Sequence, residues 1–452
     1  MASHDVIVIG GGVAGLSAAA ALSERGARVL VVEARPSLGG RAASFRDPVT
    51  GEIVDNGQHM LMGCYRESFA FLKRIGAESS VHLQPSLTVP FIDTMGIRTT
   101  LRCPPLPSPW HLLGGVIEWD ALGWGDRLSV LRMGPVIRLA SRGLRGLTKQ
   151  VAVSPDETVE NWLVRNGQRR RLREMLWEPL ALAALNQPPR EAAAVSFVRV
   201  LAQMFGPDPQ ASALAMPVRP LGEMYAEPAR RFVEDRGGQV RTGALAQVIV
   251  EEGRAAGVRI RGREEIQAAA VISAVPWFAL RGLFADVPAG MESTLDRAGR
   301  MGAYPIVTVN LWLDRQVLDV PFVGLPGRAM QWVFDKSQMF GGAAHHLSAV
   351  SSGASNLVMQ SNDDLVALAM REISEALPAA RSAALCRATV VRERHATFSL
   401  APGEPPRPAT ATCVKGFFLA GDWTATGLPG TIESAAVSGH RAADAVLGPG
   451  RK

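Results

Sequence analysis

The sequence predicts an α/β protein: a Rossmann-like domain assembled from separated stretches of chain, joined to a second domain of mixed sheet plus helices. Three observations predict it. A short apolar strand, a glycine-rich turn and an alanine-rich helix open the chain. Short strands with glycine turns return between Gly237 and Val275, and a strand, turn and helix close the chain between Phe417 and Val446. Such alternation builds parallel sheets covered by helices. The expected division is 1–85, 220–285 and 410–447 for the first domain, and 86–219 and 286–409 for the second.

The 452 residues, 47% hydrophobic and 20% charged, are enough for a sizeable core and exclude a disordered or disulfide-stapled chain. A net charge of +6 spread over that length, without interleaved basic and aromatic motifs, argues against nucleic acid. Cys64, Cys103, Cys386 and Cys413 lie far apart with no zinc-type spacing, so a reduced cytoplasmic protein without a metal site is expected. The N-terminus lacks a basic region before its apolar run and reads as folded structure, not a signal peptide. No stretch reads as a membrane span.

Asp5–Ile9 (DVIVI) reads as a buried parallel strand. GGGVAG follows: Gly10 permits the tight turn, Gly12 lets backbone N–H groups approach a pyrophosphate, and Gly15 lets the helix pack close to the sheet. The helix from Val13 to Arg25 points its N-terminus, at Val13 and Ala14, towards the same phosphates. Arg28–Val32 makes a second strand and delivers Glu33, 18 residues after Gly15, to accept hydrogen bonds from both hydroxyls of a ribose. Ala34 lies beside it.

A second glycine pair, Gly39-Gly40, then precedes Arg41 and can bring more N–H groups and a cation to that pyrophosphate; simple NAD dehydrogenases do not need it. DNGQH follows at residues 55–59. The middle of the chain is less legible. Residues 104–150 combine Pro104, Pro105, Pro107, Pro109, Trp110, Trp119 and Trp124 with an apolar run and end in Arg138, Arg142, Arg145 and Lys149; the helical stretch at about 126–147 is either core or an amphipathic surface resting on a bilayer. Residues 156–205 read as helical, with Arg169–Arg171 and Arg173 on a solvated face. Strands are expected at 239–241, 246–250, 257–261 and 270–275, and at 304–313 as a central strand of the second domain. Finally FFLAGDW (417–423) ends a strand at Gly421-Asp422, and LPGTIESA (428–435) starts a helix.

These three patches together resemble the flavin amine oxidase and phytoene desaturase superfamily over essentially the whole chain. The resemblance implies a discontinuous FAD-binding domain of the amine-oxidase type, with non-covalent FAD, and a substrate-binding second domain. It implies that Asn56, Gly57 and Gln58 lie against the isoalloxazine ring and that Val248 meets the adenine through its backbone. Asp422, after Gly421, would hold the ribityl chain. The N–H groups from Thr431 through Ile432 and Glu433 to Ser434 would face the pyrimidine end, where a helix N-terminus favours the charge of a reduced flavin.

GGRAASFRDPVTGEIVDNGQHMLMGCY and GDWTATGLPGTIESAAVSGHRAA are similar to one branch, the hydroxysqualene dehydroxylase family of bacterial squalene and hopanoid synthesis. The family form of the last block is LPATIEGA; Gly430 and Ser434 here make small-for-small changes. The resemblance implies reduction of the allylic alcohol hydroxysqualene to squalene, in a dry apolar tunnel with a group that protonates or hydrogen-bonds the leaving hydroxyl. His59 is the candidate proton donor and Gln58 the candidate for positioning the hydroxyl or bonding the flavin; His59 as mere flavin packing remains open. Asp55 is expected to be a structural acceptor. His345-His346 reads as a surface pair rather than a metal site. Lys336, between Asp335 and Ser337, is expected in an exposed turn, with a flavin-facing lysine as the alternative.

An insoluble C30 substrate makes a peripheral contact with the inner face of the cytoplasmic membrane a further expectation, and the reductant of FAD is not legible. A polyene desaturase uses the same cofactor motifs in the opposite redox direction. A non-catalytic prenyl-lipid escort shares the fold but loses cofactor elements such as Glu33, Arg41, Asp422 and Glu433, which this chain keeps.

Overall fold

The computed structural model describes residues 4–134, 153–342 and 344–448. Most of the expected 126–147 helix, with Arg138, Arg142 and Arg145, lies outside them, as does Lys149.

The first sheet has seven strands. His4–Ile9 runs between Val29–Val32 and Glu264–Ser273, all parallel, with Gln239–Arg241 beyond Val29–Val32. Phe417–Leu419 joins parallel at the far side of Val271–Ser273. The first half of the long Glu264–Ser273 strand instead pairs antiparallel with Arg254–Ile260, which pairs with Ala246–Glu251. Val29–Val32 is buried throughout, as a β-branched run covered on both faces should be.

The two ends of the chain meet on this sheet. The helix Val13–Glu24 packs along the helix Ile432–Leu447, and small side chains make that approach possible. A Cβ on Gly439 would lie 2.2 Å from the Ala14 carbonyl oxygen, and Ser17 Oγ donates to Ala436 O at 3.1 Å. The glycine and alanine content of both helices is therefore a packing requirement.

The second sheet also has seven strands, in the order Leu385–Phe398, Ala303–Leu313, His345–Ser351, Trp332–Asp335, Phe322–Gly324, Thr88–Ile92 and Arg98–Arg102. Ala303–Leu313 is thus interior, but second from the edge. One face buries Val307, Val309 and Leu311 against the helix Asn362–Ala376; the other turns towards the first domain. Helices within residues 159–204 close that side through edge-to-face contacts of Trp162 and Trp177 with Phe197.

Two surface expectations are corrected. In the basic run Arg169 and Arg170 are exposed, and Arg171, with 37% of its side chain exposed, pairs at 2.6 Å with buried Asp93. His346 is buried, stacked on Trp312 with ring centroids 4.3 Å apart, and its Nε2 lies 3.1 Å from Asn310 Oδ1. Lys336 is buried as well, 4% exposed. Gly, Ala, Asp and Ser neighbours suggested loops, but His346 and Lys336 both sit on or beside strands that face the other domain.

Candidate active site

The glycine motifs form one cradle. Gly10 has a φ of +110°, and a Cβ on Gly15 would meet the Gly10 carbonyl at 1.9 Å, so the turn closes only with glycine at both positions. Gly39 N donates to Gly11 O at 2.8 Å and bridges to Gly12; a Cβ on Gly40 would come within 3.2 Å of Gly12 Cα. Two segments expected to serve one pyrophosphate are thus side by side, at the N-terminus of the helix that begins with Val13 and Ala14. Glu33 lies at the end of its strand, its carboxylate accepting from Gly11 N at 2.6 Å and Arg35 N at 2.8 Å. Glu33 O also accepts from Ala244 N, which brings the Ala246–Glu251 strand, carrying Val248, beside Glu33 and Ala34.

Arg41 reaches from this cradle to the C-terminal motif. Nη1 bonds Asp422 Oδ2 at 3.2 Å, Nη2 bonds Oδ1, and the guanidinium lies 5.3 Å from the Trp277 ring centroid. The Asp422 backbone is fixed by the next helix, because Ser434 Oγ donates to Asp422 O at 2.8 Å and Gly421 N donates to Ser438 Oγ. Thr431 caps that helix through Ser434 N. The side chain of Glu433 does something the sequence did not signal: it accepts from Glu67 N, Ser68 N and Ser68 Oγ and so caps the Arg66–Arg74 helix. An acid at a strand end, a glycine cradle at a helix N-terminus and an adjacent arginine fit a nucleotide carrying a pyrophosphate.

A cavity of about 330 Å³ opens from these residues. Its wall carries Arg41, Asn56 to His59 and the 428–433 turn. The rest of the lining is mostly apolar, including Trp177, Phe322, Trp332 and Phe334, with Leu112, Val116 and Val130 from the helical segment after Pro109. Sequence reading missed these walls, although the alternation Trp332, Phe334 was a signal for one face of a strand.

The 55–59 segment is tied from behind. Asp55 accepts from Ser44 Oγ at 2.7 Å and Leu221 N at 2.9 Å, and pairs with Lys336 Nζ at 3.2 Å. Lys336 also donates to Gln58 Oε1. Burial pushes the Lys336 ammonium down from its ordinary pKa, and Asp55 opposes that. His59 is accessible only in part, on the cavity wall, and its Nε2 has no hydrogen-bond partner. Burial holds its pKa at about 4, with Lys336 lowering and Asp55 raising it. With its pKa held that low, His59 is a neutral imidazole at neutral pH, able to donate a hydrogen bond from one ring nitrogen.

A family model described as flavin containing amine oxidoreductase matches residues 13–447. The chain belongs to that family. It is a flavin-dependent oxidoreductase, and the chemistry of the cradle agrees. It is 31% identical to a hydroxysqualene dehydroxylase from Sinorhizobium fredii, over 98% of each chain, and groups with that family. It is also 25% identical to a zeta-carotene desaturase from Zea mays, over 99% of this chain and 84% of that one. Among solved structures, an oxidoreductase from Methanosarcina mazei shares the fold with a TM-score of 0.73 at 17% identity, covering 96% of this chain and 98% of that one.

Proposed function

We propose that the protein reduces hydroxysqualene to squalene with FAD as its cofactor, held without a covalent bond. The observation that carries this reading is the mostly apolar cavity whose wall includes both Arg41, residues 56–59 and the 428–433 turn and side chains of the 110–133 helices. Gly10 to Gly15, Gly40 and Arg41 would hold the pyrophosphate, Glu33 the adenosine ribose, Val248 and Ala34 the adenosine surroundings, and Asp422 the ribityl chain. Asn56 to Gln58 and the N–H groups of residues 431–434 would bound the ring. Bound in reduced form, FAD supplies the hydride that replaces the hydroxyl on the allylic carbon. The protein supplies the rest. Its walls exclude water that would recapture an allylic cation, and Phe322, Trp332 and Phe334 offer aromatic faces to that charge. Gln58 and neutral His59 would hydrogen-bond the leaving oxygen, and the proton that completes the departing water would come with the hydride from the fully reduced flavin, which gives up one of each per turnover.

The segment that lines the cavity from the 110–133 helices also presents a surface suited to a lipid-soluble substrate. Leu112, Val116 and Val130 line the cavity, while Trp110, Trp124, Leu128 and Leu131 of the same segment are exposed. Exposed tryptophan beside leucine is the composition of a membrane-interface face, so this face rests on the cytoplasmic side of a bilayer. No helix among the described residues is long and apolar enough to cross one.

Incubation of the yellow protein with hydroxysqualene and an excess of dithionite tests the reaction: squalene by mass spectrometry supports it, and recovery of unchanged alcohol removes it. The similarity to the Zea mays desaturase favours a second reading, dehydrogenation of a polyene; bleaching of the oxidised protein by a polyene alone would select it.

A further inference from the structure

The contacts behind the cavity define an orientation. Lys336 opens a short helix capped by Asp335, and its Nζ lies 4.5 Å from the centroid of the Phe340 ring, 3.2 Å from Asp55 Oδ2, and in contact with the Gln58 side-chain amide. An ammonium has three donors and no acceptor, so the amide atom facing it must be the oxygen. The two N–H donors are then left for the other side. That side is the cavity wall, to which Gln58 belongs and Lys336 does not. Asp55 keeps the ammonium in place, and is itself held by Ser44 and Leu221 from two further segments.

We propose that Lys336 is a positioning residue that turns the Gln58 amide N–H groups into the cavity, making Gln58 the group that recognises an oxygen on an otherwise hydrocarbon substrate. This rests on the dehydroxylation reading and adds how the site separates a C30 alcohol from the C30 hydrocarbon it becomes. Apolar walls discriminate weakly between the two. A fixed donor pair discriminates well, because the hydrocarbon leaves those donors unpaired. The same device favours product release.

The test uses the oxidised yellow protein, which does not turn over, and measures binding of hydroxysqualene and of squalene in the same detergent by tryptophan fluorescence. The wild type should prefer the alcohol by at least tenfold. Lys336→Met with Asp55→Asn, which removes both charges and leaves none buried alone, should bring the ratio below threefold, as should Gln58→Leu; Lys336→Arg should restore most of it. General loosening of the fold weakens both ligands together and leaves the ratio unchanged. No preference in the wild type, or a ratio that persists in the double variant, overturns the proposal. If the double variant does not fold, Gln58→Leu and Lys336→Arg decide in its place: a ratio retained with Gln58→Leu, or lost with Lys336→Arg, counts against it. A clear preference for hydroxysqualene in a protein that, once reduced, leaves it unreacted would sink the dehydroxylation reading alone.

Discussion

Arg41 and Asp422 stand 381 positions apart and share a two-pronged ion pair, with Arg41 Nη1 3.2 Å from Asp422 Oδ2. One belongs to the N-terminal cradle and the other to the strand that precedes the last helix. Their contact makes the proposed flavin site a junction of the chain's two ends. Replacement of Arg41 by Met should therefore lower flavin retention by at least tenfold, roughly 1.4 kcal/mol. Lysine should not rescue it, because an ammonium lacks the fork that meets both carboxylate oxygens. Equilibrium dialysis of the apoprotein against FAD reads both.

The packing of those ends sets a second expectation. Gly439→Ala would place a methyl group 2.2 Å from the Ala14 carbonyl and 3.0 Å from Ala18 N. Both are backbone atoms and yield only if a helix moves. The variant should be destabilised by about 2–3 kcal/mol and should bind FAD more weakly, since the helix that shifts begins at the cradle. Urea unfolding of the apoprotein checks the first effect, and an unchanged midpoint contradicts it.

Histidine burial predicts an acid-sensitive fold. His59 and His346 have pKa values lowered to about 4 and about 3, both chiefly by burial. In the unfolded chain each titrates near 6.5, so between these values the unfolded state binds more protons and stability falls as pH falls. By pH 5 the loss is roughly 2 kcal/mol for each. Melting temperature should decline from pH 7 to pH 5, and His346→Gln should flatten that slope. Activity should show no acid limb near pH 6.5 from His59.

The face carrying Trp110 and Trp124 should govern membrane binding. Ser at both positions should move the protein from sedimenting liposomes to the supernatant, while turnover of detergent-dispersed hydroxysqualene stays within about twofold because neither side chain lines the cavity. Equal partitioning of both proteins contradicts the assignment.

The parts legible in the sequence were those in which backbone geometry dictates residue type. Gly10, Gly15 and Glu33 belong to one local unit whose turn, helix and strand end are contiguous, and the structure forms that unit. Asp55 was legible as an acceptor because it ends a strand beside an Asn-Gly turn. Lys336 and His346 were not, because both depend on what the second sheet faces, a relation between strands some 280 residues apart from the 55–59 segment. Local composition pointed them outward; inter-domain contact turned them inward. Glu433 was singled out for its backbone position, while its side chain serves a helix 365 residues earlier, for which no local signal exists. The proton affinity of His59 was not legible for a similar reason: a histidine beside a cofactor motif has a residue type, but its proton affinity depends on walls that come from distant strands.

The measurement closest to the central claim is anaerobic. The purified protein is reduced stoichiometrically, hydroxysqualene is added in detergent, and flavin absorbance near ~450 nm is followed with product mass. The account predicts reoxidation with one squalene formed per flavin. A flavin that stays reduced in the presence of hydroxysqualene, while an artificial electron acceptor reoxidises it, would contradict the account.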